Sequence, residues 1–302
     1  MISPSATIPA RKRSAPILRG FPIVRTVMLD AIYHAIDPVA FSVGPFSVRW
    51  YGIAYILGFF FAAVMMRRVS KRWGIAFDLD SILTIITCLM VCIIVGARLG
   101  YCLFYDLQAT LANPLSIFMI QNGGMSFHGG LVGALLSAIP SSYLTKIPIL
   151  TIADLGAIGA PIGLFFGRCA NFINGELWGA PTDLPWGVVF GGQAGMMPRH
   201  PSQLYEALLE GVVLFAILLV LSRRKPPRPQ GTFLGVFLLC YGIVRIAMEF
   251  IRQPDVQIGY LLGDVLTMGQ LLSIPLVIAG AILLAWSQLR KCPQQGLKYD
   301  TE

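Results

Sequence analysis

Seven ionisable side chains interrupt long apolar stretches of this 302-residue chain: Arg98, His128, Arg168, Glu206, Glu210, Arg245 and Glu249. Such groups are costly inside a membrane and ordinarily face a cavity or a partner. Arg245 and Glu249 stand four residues apart, with Arg252 three further on, so the three share one helical face and could neutralise one another. The arginines nevertheless outnumber their plausible partners, which predicts an unneutralised cationic pocket. At lipid-headgroup depth the anion for such a pocket is a phospholipid phosphate, which the arginine fork binds through two parallel hydrogen bonds. His128, in the run GGMSFHGG, adds an imidazole, whose ordinary pKa of about 6.5 suits general-base work. Its plainer role is that of a hydrogen-bonded interior group.

The elements that must position these groups follow from composition. Charged residues make up 13% of the chain and hydrophobic ones 56%, against roughly 25% charged in a soluble domain. That excludes a soluble enzyme with a polar coat, a disordered protein and a nucleic-acid binder, despite a net charge of +8. The six cysteines show no CxxC spacing and mostly sit in apolar runs, so they read as small buried residues rather than a disulfide framework or zinc site. A bilayer crossing takes roughly 20 apolar residues. Seven stretches come near that length: Trp50 to Met66, Ser81 to Phe104, Gly124 to Tyr143, Ile149 to Gly167, Leu204 to Leu221, Gly231 to Ile251 and Gly269 to Trp286. One integral membrane domain of seven helices is predicted, its termini on opposite sides.

Twelve basic residues fall on one side of those spans: Arg67, Arg68, Lys71, Arg72, Lys146, Arg223, Arg224, Lys225, Arg228, Arg290, Lys291 and Lys298. The other side holds four, Arg49, Arg168, Arg199 and Arg252. The positive-inside rule makes the richer side cytoplasmic, with the C-terminus inside and the N-terminus outside. The basic excess thus reads as a topology signal rather than a sign of an acidic partner. Residues 1–27 conflict with this, since they place Arg11, Lys12, Arg13, Arg19 and Arg25 outside with no acid. They lack the apolar core of a signal peptide, so they are expected to be a disordered basic extension or to precede a true start at Met28.

On this topology all seven ionisable groups sit in the outer half of the membrane, and only Asp154 departs, near the inner end of span four. Small residues recur every four positions at Gly159, Gly163 and Gly167, and at Gly129, Gly133 and Ser137, while Gly96 and Gly100 flank Arg98. Such spacing is a packing device in membranes. The segment 171–203 carries FINGELWG, four prolines and RHPSQLYE. It is expected to form a compact outer head that covers helix ends or contacts a polar or peptide substrate.

The runs GRCANFINGELWG, HGG, HPSQLYE and YGIVRIAMEFIRQPD together resemble the bacterial prolipoprotein diacylglyceryl transferases, over about Asp37 to Trp286. The resemblance implies a seven-span inner-membrane enzyme with a small periplasmic head between helices four and five. Residues 28–290 would form the transferase domain and 291–302 a cytoplasmic tail. It implies transfer of the diacylglyceryl group of phosphatidylglycerol to the lipobox cysteine thiol of a prolipoprotein, forming a thioether and releasing glycerol phosphate, without cofactor or metal. Carried over to matching positions, Arg168, Arg245, His128 and Tyr241 would be catalytic, and Tyr51, Arg98, Asn171, Asn174, Glu176, Gly179 and Glu249 would bind substrate. The base stays open between His128, Tyr241 and a lipid phosphate oxygen. Ala170 stands where relatives often carry glycine, and the stretch from Pro181 to Pro198 looks shorter than in some of them.

Two other classes remain at this stage. An anion transporter would also gather intramembrane arginines but should show an internal repeat and broken helices. A metal-dependent headgroup transferase would need clustered aspartates, and Asp154 stands alone in its span.

Overall fold

The computed structural model describes residues 28–44, 46–120, 123–252, 260–261 and 266–296, the side chains of Phe127, His128, Tyr260, Leu261, Leu266 and Met268 excepted. Residues 1–27 and Lys298, on which the readings of the basic extension and of part of the tail rest, lie outside the described residues. The chain is mostly helical. A short helix α1 (Met28–Ala35) and a hairpin of β1 (Val39–Val43) and β2 (Phe46–Arg49) lead into α2 (Trp50–Trp73). Then come α3 (Leu79–Phe104), α4 (Leu107–Ala112), α5 (Phe127–Leu136), α6 (Ala138–Thr145) and α7 (Ile149–Asn174). After a long loop, α8 (Ser202–Glu206), a π-helical stretch (Ala207–Val213) and α9 (Leu214–Ser222) run on as one rod, followed by α10 (Thr232–Glu249). A small pairing of β3 (Tyr260–Leu261) with β4 (Leu266–Thr267) leads into α11 (Met268–Arg290).

Among the described residues six helices are long and apolar enough to cross a membrane. The third predicted span is instead two short helices, α5 and α6, broken at Ser137. The cause is local. Pro140 has no N–H to give the Leu136 carbonyl, and the Ser137 hydroxyl takes the Ala134 carbonyl at 2.6 Å. Other spans also differ in their limits: α2 runs past Met66 to Trp73, and α7 continues past Gly167 to Asn174 before Gly175 closes it at φ 69°. Arg168 is therefore inside the helix rather than at its outer end.

The long helices pair antiparallel through small residues. A Cβ on Gly129 or Gly133 would fall inside van der Waals contact with the α3 backbone at Gly96 and Cys92, so α3 and α5 touch main chain to main chain. On α2, Gly58 faces the Cα of Gly163 on α7. A Cβ on Gly167 would meet nothing within 4 Å. Side chains such as Ile56, Phe60, Val91 and Ile278 stay more than half exposed, as lipid-facing positions do in a multi-pass membrane protein.

The apolar core lies towards the base-rich end, where Met66, Trp73, Ile82, Ile152, Leu218 and Phe233 pack together. Asp154, expected to be an outlier, belongs to that end. Its buried carboxylate accepts the Gly231 and Leu234 amides, each at 2.8 Å, and the Gln294 side-chain amide at 2.6 Å. It thereby caps α10 from a neighbouring helix, satisfying donors that a helix start leaves open. Residues 291–296 fold back here, the Gln230 amide donating to the Cys292 carbonyl at 2.8 Å.

Candidate functional site

The opposite half of the bundle holds a buried ionic cluster drawn from three rods. Arg168 comes from α7, Glu206 and Glu210 from α8 and the π-helical turn, and Arg245 and Glu249 from α10, with Arg252 just beyond. Arg168 reaches Glu206 Oε2 through Nη1 at 2.9 Å and grips Glu210 Oε2 through Nε and Nη2 at 3.1 and 3.0 Å. Arg245 Nη1 donates to Glu206 Oε1 at 2.9 Å, and its Nη2 donates to Glu249 Oε1. Arg252 Nη1 stands 3.7 Å from Glu206 Oε1. Glu249 is held in turn by the Thr267 hydroxyl at 2.7 Å.

Local sequence explains this convergence. Glu206 and Glu210 lie four apart and so share a face, and Gly211, against which Phe165 packs with no room for a Cβ, lets that rod come close to α7. The π-helical turn at this point is an irregularity that recurs at functional sites. Glu206 and Glu210 are fully buried, while the side chains of Arg168 and Arg245 keep 13% and 14% exposure. The carboxylates are thus sealed in, and what exposure the two pairs keep belongs to the arginine side chains.

This corrects the expectation of an unneutralised pocket. Three arginines meet three glutamates. Glu206 and Glu210 were legible as intramembrane charges, but not as the partners that neutralise arginines on two other helices. Burial of this kind is tolerated only with pairing and hydrogen bonds on most donors.

Arg98 is held differently. Its Nε donates to the Ile117 carbonyl at 3.0 Å, Nη1 to those of Gly123 and Gly124 at 2.6 and 2.9 Å, and Nη2 to that of Ser116. Among the described residues no carboxylate pairs with it. Arg98 therefore folds the loop between α4 and α5 onto α3, and no described hydrogen bond or ion pair joins it to the cluster of Arg168 and Arg245. The His128 side chain lies outside the described residues. The backbone of α5 puts it in the first turn, capped by Ser126.

A second polar group caps the same end. Glu176 Oε1 accepts from the side-chain amides of Asn171 at 2.8 Å and Asn174 at 3.2 Å. The Tyr51 and Tyr55 rings pack at 5.2 Å nearby on α2, with Glu176 in electrostatic reach of Tyr55. Gly179 is wedged between His200 and the Ile251 carbonyl with no space for a Cβ, and its amide donates to His200 O at 2.9 Å. That clamp ties the long loop to the end of α10. Tyr241 stacks on Phe237 at 5.6 Å and lies within electrostatic range of all of Arg168, Arg245, Glu206 and Glu210.

The sequence profile of prolipoprotein diacylglyceryl transferases matches residues 38–286, a range that contains every member of both polar groups. The chain belongs to this family. It is similar to the phosphatidylglycerol–prolipoprotein diacylglyceryl transferase of Solidesulfovibrio magneticus, 50% identical over 87% of this chain and 98% of that protein. The enzymes of the same name from Geobacter sulfurreducens and Pseudomonas putida are 48% and 46% identical, over 85% and 86% of the chain and 97% of each relative.

Several residues that tie this family member's site together lie inside the runs RHPSQLYE and FINGELWG but carried no individual role in the sequence reading. Gln203, fully buried, donates to the Glu176 carbonyl at 2.6 Å, and Ser202 donates to the Leu177 carbonyl at 2.9 Å. The run HPSQLYE therefore pins the turn after α7. Arg199 lies over the Trp178 ring at 4.4 Å and donates to the Ala194 carbonyl at 2.8 Å. Burial in this loop holds the His200 imidazole below its ordinary pKa.

Proposed function

We infer that the arginine–glutamate cluster is the reaction centre of a phosphatidylglycerol–prolipoprotein diacylglyceryl transferase. The enzyme moves the diacylglyceryl group from phosphatidylglycerol to the lipobox cysteine of a prolipoprotein. The thiolate sulfur forms a bond to the terminal glyceryl carbon as the carbon–oxygen bond to phosphate breaks. The electron pair leaves with glycerol phosphate, and the thiol proton passes to a base.

The observation that carries this reading is that Arg168 and Arg245, from separate helices, are aligned by one carboxylate, Glu206, each at 2.9 Å. Each guanidinium has five N–H donors, and the described contacts leave some on both. The glutamates hold the planes in place and exclude water, and a phosphate takes the remaining donors as negative charge grows on the leaving oxygen. Donors fixed before the reaction are the effective form of electrostatic stabilisation. Tyr241 stands beside them, and His128 is the proposed base because an ordinary thiol, with pKa about 8.5, must give up its proton to react. Asn171, Asn174, Glu176, Tyr51 and Gly179 shape the outer rim, where lipid headgroup and peptide meet. Arg98 organises the loop bordering that rim.

The orientation is part of the same proposal. The chain crosses seven times, with α5 and α6 as one interrupted crossing, the N-terminus periplasmic and the C-terminus cytoplasmic in the bacterial inner membrane. In support, the basic residues in the last turns of α2 and at or just after the ends of α6, α9 and α11 gather at the end opposite the cluster. The loop between α7 and α8 is then a periplasmic head. Leu184, Trp186, Met196 and Met197 are exposed on it at 39–60% and offer an apolar surface to a lipobox segment. Residues 28–290 form the transferase domain.

The test is direct. Purified protein with phosphatidylglycerol and a lipobox peptide should yield a diacylglyceryl thioether and glycerol phosphate in equal amounts. Glycerol phosphate formed without peptide modification would mean a phospholipase and would overturn the reading.

A further inference from the structure

The end of the bundle opposite the reaction centre holds a cavity of about 280 Å³ between α2 and α9. Its rim carries Arg68 and Arg72, one turn apart on α2, and Arg223 from the end of α9; its walls include Met65, Phe215 and Leu219. Among the described residues no carboxylate lines it and none of the three arginines forms an ion pair. The two helix ends are locked in register by the Trp73 indole, which donates to the Ser222 carbonyl at 3.0 Å, with Trp73 and Val69 buried beneath. Arg68, Arg72 and Arg223 are exposed side chains that line one cavity, so three positive charges gather around it with no carboxylate among its described lining residues.

We propose that this cavity is a second lipid site, which binds the phosphate of an anionic phospholipid from the leaflet on the base-rich side. The arginine rim fits a phosphodiester, since each guanidinium can fork onto two phosphate oxygens. The Met65, Phe215 and Leu219 walls run down from that rim along the lipid-facing surface and accept acyl chain, which free phosphate does not have. Basic pockets between membrane helices on the cytoplasmic side bind anionic headgroups in this way. The choice of leaflet rests on the orientation proposed above, whereas the site itself does not.

The experiment reconstitutes the whole protein in nanodiscs of phosphatidylcholine with a minority of phosphatidylglycerol and counts retained lipid by native mass spectrometry. Each arginine near a lipid surface contributes roughly fivefold in affinity, so Arg68→Gln/Arg72→Gln/Arg223→Gln should hold anionic lipid on the order of 10²-fold more weakly. Arg224→Gln/Lys225→Gln removes charge from the same face but not from the cavity, and should weaken retention much less than the triple variant does. An equal loss in both variants would reduce the effect to bulk charge and overturn the site. Arg168→Gln/Arg245→Gln should still retain one anionic lipid; complete loss there would place all bound lipid at the reaction centre. Displacement by inorganic phosphate, or equal retention of phosphatidylcholine, would also overturn it. If the triple variant does not fold, Arg223→Gln alone is read, with about a fivefold loss expected and no change fatal to the proposal.

Discussion

Arg168 grips Glu210 through two of its nitrogens, Nε at 3.1 Å and Nη2 at 3.0 Å from the same carboxylate oxygen. That contact fixes the guanidinium plane and leaves Nη1 to meet Glu206. Several outcomes depend on an arginine held in this way.

Arg168→Gln and Arg245→Gln should each lower turnover by about 10² to 10³, the cost of about 2.7 to 4 kcal/mol seen when a fixed donor to a developing anion is lost. Arg→Lys should recover little, because lysine lacks the planar fork. Single-turnover rates on purified variants measure this, and wild-type turnover in Arg245→Gln would remove that residue from the mechanism.

Glu206→Gln should destabilise the fold by about 3 to 5 kcal/mol, since it leaves buried guanidiniums without their shared counter-charge. The double variant with Arg245→Gln should lose less than the sum of the two singles, by about 0.5 to 3 kcal/mol. Denaturant unfolding in micelles reports the difference; strict additivity would mean that the two side chains do not interact.

His128→Gln should bind lipid normally yet turn over 10² to 10⁴-fold more slowly, the usual range for loss of a general base. Raising the pH towards the thiol's ordinary value of about 8.5 should recover much of the rate, because thiolate then forms without help. A pH profile parallel to wild type, or a loss under about tenfold, assigns His128 to positioning and passes the base role to Tyr241 or the lipid phosphate.

Gly133→Ala should cost about 1 to 3 kcal/mol or more through overpacking, because its Cβ would strike the Cys92 carbonyl on α3. Gly156→Ala meets nothing within 4 Å and should be neutral or stabilising by up to about 1 kcal/mol. Thermal unfolding in one detergent compares the pair.

Alkaline phosphatase fused after Lys298 should be inactive, and fused near Gln121 active, if the C-terminus is cytoplasmic and the cluster faces the periplasm. The reverse pattern would put the cluster in the wrong leaflet. Removing residues 1–27 should leave complementation of a transferase-deficient strain intact.

Membrane residence was legible in the sequence because a bilayer imposes length and apolarity on every crossing, whatever the neighbours are. The GRCAN and YGIVR runs likewise carried family membership, because they name residues in order along one chain. The placement of Gly129 and Gly133 as packing residues was readable too, since small side chains at four-residue spacing fall on one helical face. What the sequence could not supply was pairing across helices. Arg168, Glu206 and Arg245 are up to 77 residues apart in their numbering, and only the docking of α7 and α10 around the α8 rod joins them, with Glu210, Glu249 and Arg252, into one charge-paired group rather than a cationic pocket. The break at Ser137, by contrast, has a local cause in Pro140 that apolar length alone did not reveal. The capping of α10 by Asp154 was hidden because the amides it satisfies belong to another helix, and such partners are set by the packed structure rather than by hydrophobic period.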